Sequence, residues 1–187
     1  MQGKCPKCQN KKLSGIFSAL SYKEKELTRK LIHQFKYPPY LKDLSKTLAS
    51  LIIEHLILSG NNTNEIWENG VLIPVPLYKK KFRERGYNQS EELAKELSKI
   101  LKIPVVSDVL TKTKSTKPQM ELSKADREKN LEGVFAVKPA FASQLRQGKI
   151  FLVDDVYTTG STMHECAKIL KQSGAKQVWG IVIAREG

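Results

Sequence analysis

The residues best suited to chemistry stand together in IFLVDDVYTTGST, Ile150 to Thr162: four apolar residues, two carboxylates, and small hydroxyl residues around a glycine. Ile150 to Val153 fit a strand buried on both faces, which delivers Asp154 and Asp155 to its end. Thr158, Thr159, Gly160, Ser161 and Thr162 then lead into a helical pattern of Met163, Cys166, Ala167 and Leu170, which Gly174 stops. A turn built in this way points backbone N–H groups, hydroxyls and a helix N-terminus at one phosphate. Gly160 removes the Cβ where backbone and anion must approach. The two carboxylates would repel that phosphate and instead suit the hydroxyls of a sugar, from which they accept hydrogen bonds. Two plainer readings stand beside this one: an acidic strand terminus facing water, and an ordinary turn. Other phosphate-binding patterns fit worse, since the sequence has neither GxGxxG nor GxxxxGK[ST].

A second set of residues is basic. Val71, Leu72, Ile73 and Val75 make a short strand interrupted by Pro74 and Pro76, and a basic loop follows with Lys79, Lys80, Lys81, Arg83 and Arg85. Two arginine forks can meet a diphosphate or a nucleic-acid backbone, whereas a solvated positive loop is the bland alternative. Tyr87 either stacks a base or covers the apolar strand end. Across all 187 residues, 32 Lys and Arg against 19 Asp and Glu leave a net charge of +13, which favours anionic partners. Charge alone does not choose between a phosphorylated small molecule, a nucleic acid and a membrane surface.

The elements that must carry these residues follow from periodicity. Ile16 to Tyr22 fits a strand, and Leu27, Leu31, Ile32 and Phe35 mark a helix that Pro38 and Pro39 end. Leu41, Leu44, Leu48, Leu51, Ile52 and Leu56 mark a second helix, stopped near Gly60. Asn88 begins another, with Leu93, Ala94, Leu97, Ile100 and Leu101 on one face, before Pro104 and a strand start at Val105 and Val106. Thr111 to Glu132 holds no firm element, Phe135 to Val137 returns as a strand, and Val178 to Ala184 is a last one. Strand, loop, helix and strand repeat, which argues for an α/β fold around a mostly parallel sheet with binding at the carboxyl ends of its strands.

Composition agrees. A hydrophobic fraction of 40% and a charged fraction of 27% supply a core and exclude a wholly disordered polyelectrolyte. The length suits one domain with an appendage. No apolar run approaches the ~20 residues that span a bilayer, and the first twelve residues are too polar for a signal peptide, so a cytoplasmic protein without a transmembrane segment is expected. Three cysteines make no even disulfide framework, and Cys5 with Cys8 forms one CxxC, two ligands of an incomplete Zn²⁺ site that one chain does not complete.

The Ile150–Thr162 segment resembles the motif with which type I phosphoribosyltransferases bind phosphoribosyl diphosphate (PRPP). LIPVPLYKKKFRERGYNQ, Leu72 to Gln89, and LSKADREKNLEGVF, Leu122 to Phe135, narrow the likeness to the ComF/GntX, competence protein F-like family. The resemblance implies a type I phosphoribosyltransferase-like fold with helices on both faces of the sheet and a flexible hood loop at about residues 111–132. Residues 1–12 would be the remnant of a cysteine finger, 13–69 an N-terminal strand and helical segment, and 70–187 the PRPP-binding core. It implies that Asp154 and Asp155 bind the ribose 2′- and 3′-hydroxyls, that Thr158 to Thr162 cradle the 5′-phosphate, and that Pro74, Val75 and Pro76 flank the diphosphate with Arg83 and Arg85. Mg²⁺ would be held mainly by the diphosphate, ribose hydroxyls and waters. Arg127, in the hood, would offset charge on departing diphosphate, and any base would be Asp155 or a substrate group. The function implied is Mg²⁺-dependent phosphoribosyl transfer to an unknown acceptor. The alternative is a DNA-handling protein of natural competence and DNA uptake, binding single-stranded DNA through Lys79, Lys80, Lys81, Arg83, Arg85 and Tyr87. A homodimer is the implied assembly.

Overall fold

The computed structural model describes residues 12–22, 26–60, 64–116, 131–141, 145 and 148–186. Its centre is a four-stranded parallel sheet of β1 (Gly15–Ser21), β2 (Gly70–Pro74), β5 (Lys149–Tyr157) and β6 (Gln177–Arg185), in the order β1-β6-β5-β2. A separate antiparallel pair joins β3 (Leu110–Lys112) to β4 (Phe135–Val137). The helices are α1 (Glu26–Lys36), α2 (Leu44–Leu58), α3 (Asn64–Trp67), α4 (Lys79–Arg85), α5 (Gln89–Leu101) and α6 (Ser161–Gln172).

Period-two alternation along β5 assigns its residues to two layers. Ile150 and Leu152 join Val178 and Val182 in one core with Met163, Cys166, Ala167 and Leu170 of α6 and with Leu110 and Phe135 of the hairpin. Phe151 and Val153 join Leu72 and Ile181 in the other, against Phe35 of α1, Leu48, Ile52 and Leu56 of α2, and Leu93 and Leu97 of α5. Phe151, Leu152 and Val153 are wholly buried, each adding roughly 1.5 to 3 kcal/mol of stabilisation. Helices therefore cover both faces of a parallel sheet, as the sequence leads one to expect.

Three local expectations need correction. The acidic residues do not follow the strand but lie inside it, because β5 continues pairing with β6 through Tyr157 opposite Arg185. The basic loop after Pro76 is mostly helix α4: Lys and Arg are good helix formers, Tyr78 enters it extended, and Gly86 ends it at φ 81°. Val105 starts no strand and makes a single parallel bridge to Leu72, while the next strand, β3, begins the stretch expected to be irregular. Most of the expected hood, residues 117–130 with Arg127, lies outside the described residues.

That topology places a crevice. The β5–α6–β6 crossover leaves β5 to one side, whereas β2–α5–Val105 leaves β2 to the other, so the chain reverses direction between β2 and β5. Outside the carboxyl ends of two such neighbours is where α/β sheets bind ligands.

Candidate functional site

Three chain segments meet at that crevice. β2 stops pairing at Pro74 opposite Val153, and the Val75 N–H then donates to the Val153 carbonyl at 2.9 Å. The Pro74–Val75–Pro76 segment is thus tied to β5 one residue before the acidic pair. Pro74 and Val75 are buried, and Pro76 is half-buried.

The segment from Gly86 to Ser90 organises the floor. Asn88 caps α5, its side-chain oxygen accepting from the Ser90 N–H at 3.2 Å, while its Nδ2 donates to the Val75 carbonyl at 3.0 Å. Gln89 Oε1 accepts from Arg85 Nη1, which turns Arg85 back onto its own segment. Ser90 Oγ donates to Asp154 Oδ1 at 3.0 Å, and the Asp155 N–H donates to the same oxygen at 2.9 Å.

The two carboxylates part company because neighbours on a strand face opposite ways. Asp155 is only 2% exposed, and its Oδ2 lies 2.8 Å from Lys36 Nζ in an ion pair set off the hydrogen-bond axis. Burial alone would lower the Lys36 ammonium, but the charges of Asp155 and Asp154 outweigh it and leave the net shift upward. Asp154 is pushed up to about 7, first by burial and then by the negative charge of Asp155. At neutral pH the Asp154 carboxyl therefore sits near its proton-exchange point, where it can donate as well as accept hydrogen bonds to hydroxyls.

The hydroxyl-rich turn has a definite shape. Gly160 stands at φ 77° as the N-cap of α6 and offers no capping side chain, and the His164 N–H donates to its carbonyl at 2.8 Å. Thr159 Oγ1 and Ser161 Oγ are 2.8 Å apart, and Thr158, Thr159 and Thr162 are half-buried. A Cβ on Gly160 would come within 2.3 Å of the Tyr157 ring, so the glycine is required by its backbone angle and by a neighbouring side chain. The geometric reason is thus fuller than the anion approach read from sequence.

The basic residues lie on α4, where Lys79, Lys80, Lys81 and Arg83 are exposed. Lys112 of β3 was not singled out by sequence: burial and the nearby charge of Lys81 lower its ammonium, whose Nζ donates to Thr116 Oγ1 at 2.9 Å. Tyr87 is 7% exposed and donates through its hydroxyl to the Phe35 carbonyl at 2.6 Å, a position that covers the strand end and leaves no ring face for a base. Lys36 and Ser90 were likewise missed; only the cap at Asn88 hinted at Ser90.

Cys5, Cys8 and Arg127 lie outside the described residues. Among the described residues no three His, Cys, Asp or Glu side chains cluster as a metal would need, and no helix is long and apolar enough to cross a membrane.

Comparison with known proteins matches these features to a family. Residues 88–187 match the phosphoribosyl transferase domain. Competence protein F of Haemophilus influenzae is 35% identical over 156 residues, 82% of this chain and 67% of that protein. DNA utilization protein YhgH of Escherichia coli K12 is 34% identical over 80% of this chain and 64% of its own length, and competence protein ComFC of Bacillus subtilis is 36% identical over 56% and 39%. The chain thus spans about two thirds of the length of the first two relatives. The match to a solved glutamine PRPP amidotransferase from B. subtilis, complexed with ADP and GMP, covers 75% of this chain and 25% of that one at 20% identity, with a TM-score of 0.44. With its sequence match to that domain and to competence protein F, and with a parallel sheet whose crevice holds an acidic pair and a glycine-capped hydroxyl turn, the chain belongs to the phosphoribosyl transferase domain family and, within it, to the competence protein F (ComF) family.

Proposed function

We propose that the protein binds PRPP with Mg²⁺ in the crevice between β2 and β5 and transfers its 5-phosphoribosyl group to an acceptor, releasing diphosphate. The carrying observation is that Asp154, held by Ser90, and the Gly160 turn flank the crevice at which the sheet topology reverses. The α6 N-terminus and the hydroxyls of Thr158, Thr159, Ser161 and Thr162 suit the 5′-phosphate, and Asp154 suits the ribose hydroxyls. Pro74 to Pro76 would border the diphosphate, with Arg83 on α4 at the rim.

The donor set fits such a ligand, since phosphate-facing groups are donors and the acidic pair lies to one side. Bound Mg²⁺ would neutralise charge on the diphosphate through that group's own oxygens, ribose hydroxyls and waters. The transfer exchanges the C1′–diphosphate oxygen bond for a bond from C1′ to the acceptor nucleophile, whose proton passes to a substrate group or to solvent. Asp155 is engaged by Lys36 and is not assigned that proton. Arg127 is proposed to meet the departing diphosphate from the hood, and the reaction is proposed to run in the cytoplasm.

Calorimetric titration with PRPP, with and without Mg²⁺, and with ribose 5-phosphate tests this. Mg²⁺-dependent preference for PRPP is expected. Failure to bind either ligand overturns the proposal.

A second reading has its own observation: the exposed Lys79, Lys80, Lys81 and Arg83 form a basic helix that begins three residues after Pro76 of the crevice segment. Relatives named for competence and DNA utilization agree with a role in handling single-stranded DNA through its phosphates.

A further inference from the structure

The matched domain begins at residue 88, yet one side chain in direct contact with the acidic pair comes from far outside it. Lys36 is the last residue of α1, and its Nζ lies 2.8 Å from Asp155 Oδ2. Two contacts aim it there. Phe35 is wholly buried in the core under α1, and the Phe35 carbonyl accepts from the Tyr87 hydroxyl at 2.6 Å. The end of α1 is therefore pinned on both sides of the peptide that leads into Lys36. Tyr87 belongs to the same short segment whose Asn88 holds Val75 and whose Ser90 holds Asp154. One stretch of five residues, Gly86 to Ser90, thus sets the loop, one carboxylate and the lysine facing the other carboxylate.

We propose that Lys36 is a positioning residue of the ligand site: it holds Asp155 as a paired carboxylate turned into the α1 layer, so that Asp154 is the acidic group presented to the sugar hydroxyls. This rests on the PRPP-binding reading above. The groups around the pair agree with the division of labour. Asp155 meets Lys36 on the α1 side, with Tyr37 adding a smaller charge interaction to the lysine. Asp154 meets Ser90 of α5, and on the α6 and β3 side its charge helps burial keep the Cys166 thiol protonated and interacts with the Lys112 ammonium. A buried carboxylate deprived of its cation either takes up a proton or pulls its strand toward water, and both move the neighbouring residue. The N-terminal helical segment is on this view part of the site and not a cover for it.

The experiment measures PRPP affinity with Mg²⁺ for the full chain, for Lys36→Met, Lys36→Arg and Asp155→Asn, and for the double variant Lys36→Met/Asp155→Asn. Lys36 is 27% exposed along its side chain, which leaves room for a guanidinium, so Lys36→Arg should bind within about twofold of the parent. Lys36→Met should bind about tenfold more weakly. In the Asp155→Asn background, Lys36→Met should add nothing, because Lys36 acts through Asp155. Should Lys36→Met fail to fold, the double variant compared with Asp155→Asn carries the test, since removing both charges leaves no unpaired ion. Losses from the two single changes that multiply in the double variant would make Lys36 a direct ligand contact and overturn the proposal. So would parent-like affinity in folded Lys36→Met, or failure of Lys36→Arg to rescue. If the parent chain itself binds neither PRPP nor ribose 5-phosphate, the reading of the site falls and this proposal with it; parent binding with an indifferent Lys36 sinks the proposal alone.

Discussion

Replacing Asp154 by Asn keeps an oxygen for the Ser90 hydroxyl and the Asp155 N–H while deleting one buried charge. The Asp154 carboxyl is pushed from an ordinary 3.8 up to about 7. A group whose value is higher in the folded chain binds its proton more tightly there. Its contribution to stability is full below the unfolded value and is lost as pH rises from about 3.8 through about 7. Asp154→Asn should therefore match the parent in acid and become progressively more stable than it toward neutrality. The shift from 3.8 to about 7, at about 1.4 kcal/mol per pH unit, sets a ceiling of about 4 kcal/mol, of which about 3 kcal/mol develops between pH 5 and pH 8. Guanidinium unfolding of both proteins at those two pH values reads the difference directly. An advantage of the variant that is equal at pH 5 and pH 8, or larger at pH 5, refutes burial and the Asp155 charge as the cause. The same variant should bind ribose 5-phosphate more weakly while being the more stable protein.

Gly160→Val should abolish binding of both PRPP and ribose 5-phosphate in titrations, because it forces a β-branched residue to φ 77° and a Cβ into the Tyr157 ring; retained affinity for either would remove the turn from the site. Tyr87→Phe should cost about 1 to 2 kcal/mol in denaturant melts by leaving the Phe35 carbonyl short of its donor, with affinity for single-stranded DNA unchanged; a large loss of DNA binding would reinstate the ring as a base-stacking group. Single-stranded DNA affinity should fall steeply with salt, and neutralising Lys79, Lys80 and Arg83 together should flatten that slope by about two to three units; a flat parent response sinks backbone-dominated binding.

The strand Ile150 to Val153, the cap at Asn88 and the helix after Gly160 were legible because each rests on local signals: an apolar run, an Asn at a helix start, a glycine before a periodic stripe. The far side of the acidic pair was not. Consecutive Asp residues look like one feature in sequence, and only continued pairing of β5 with β6 through Tyr157 sends them to different layers. Helix α4 escaped because KKKFRER carries no apolar stripe; its one large apolar residue, Phe82, is 46% exposed. Lys36 could not be matched to Asp155, since nothing local to either residue encodes the docking of α1 over β5. Tyr87 offered two roles that only its burial separates.

Among the described residues the edge strand β1 pairs with β6 alone, Gly15 opposite Trp179 and Ser21 opposite Arg185, so among the sheet's pairings this one closes the longest stretch of chain. The β5–α6–β6 unit is contiguous and needs no such closure. Closure entropy over so long a stretch leads one to expect that β1 joins the sheet late in folding. Contacts of β1 should be absent from the rate-limiting barrier: Phe17→Ala, which removes a ring 5.5 Å from Trp67 and 5.6 Å from Trp179, is expected to speed unfolding and leave the refolding rate nearly unchanged, and slowed refolding would show the reverse order.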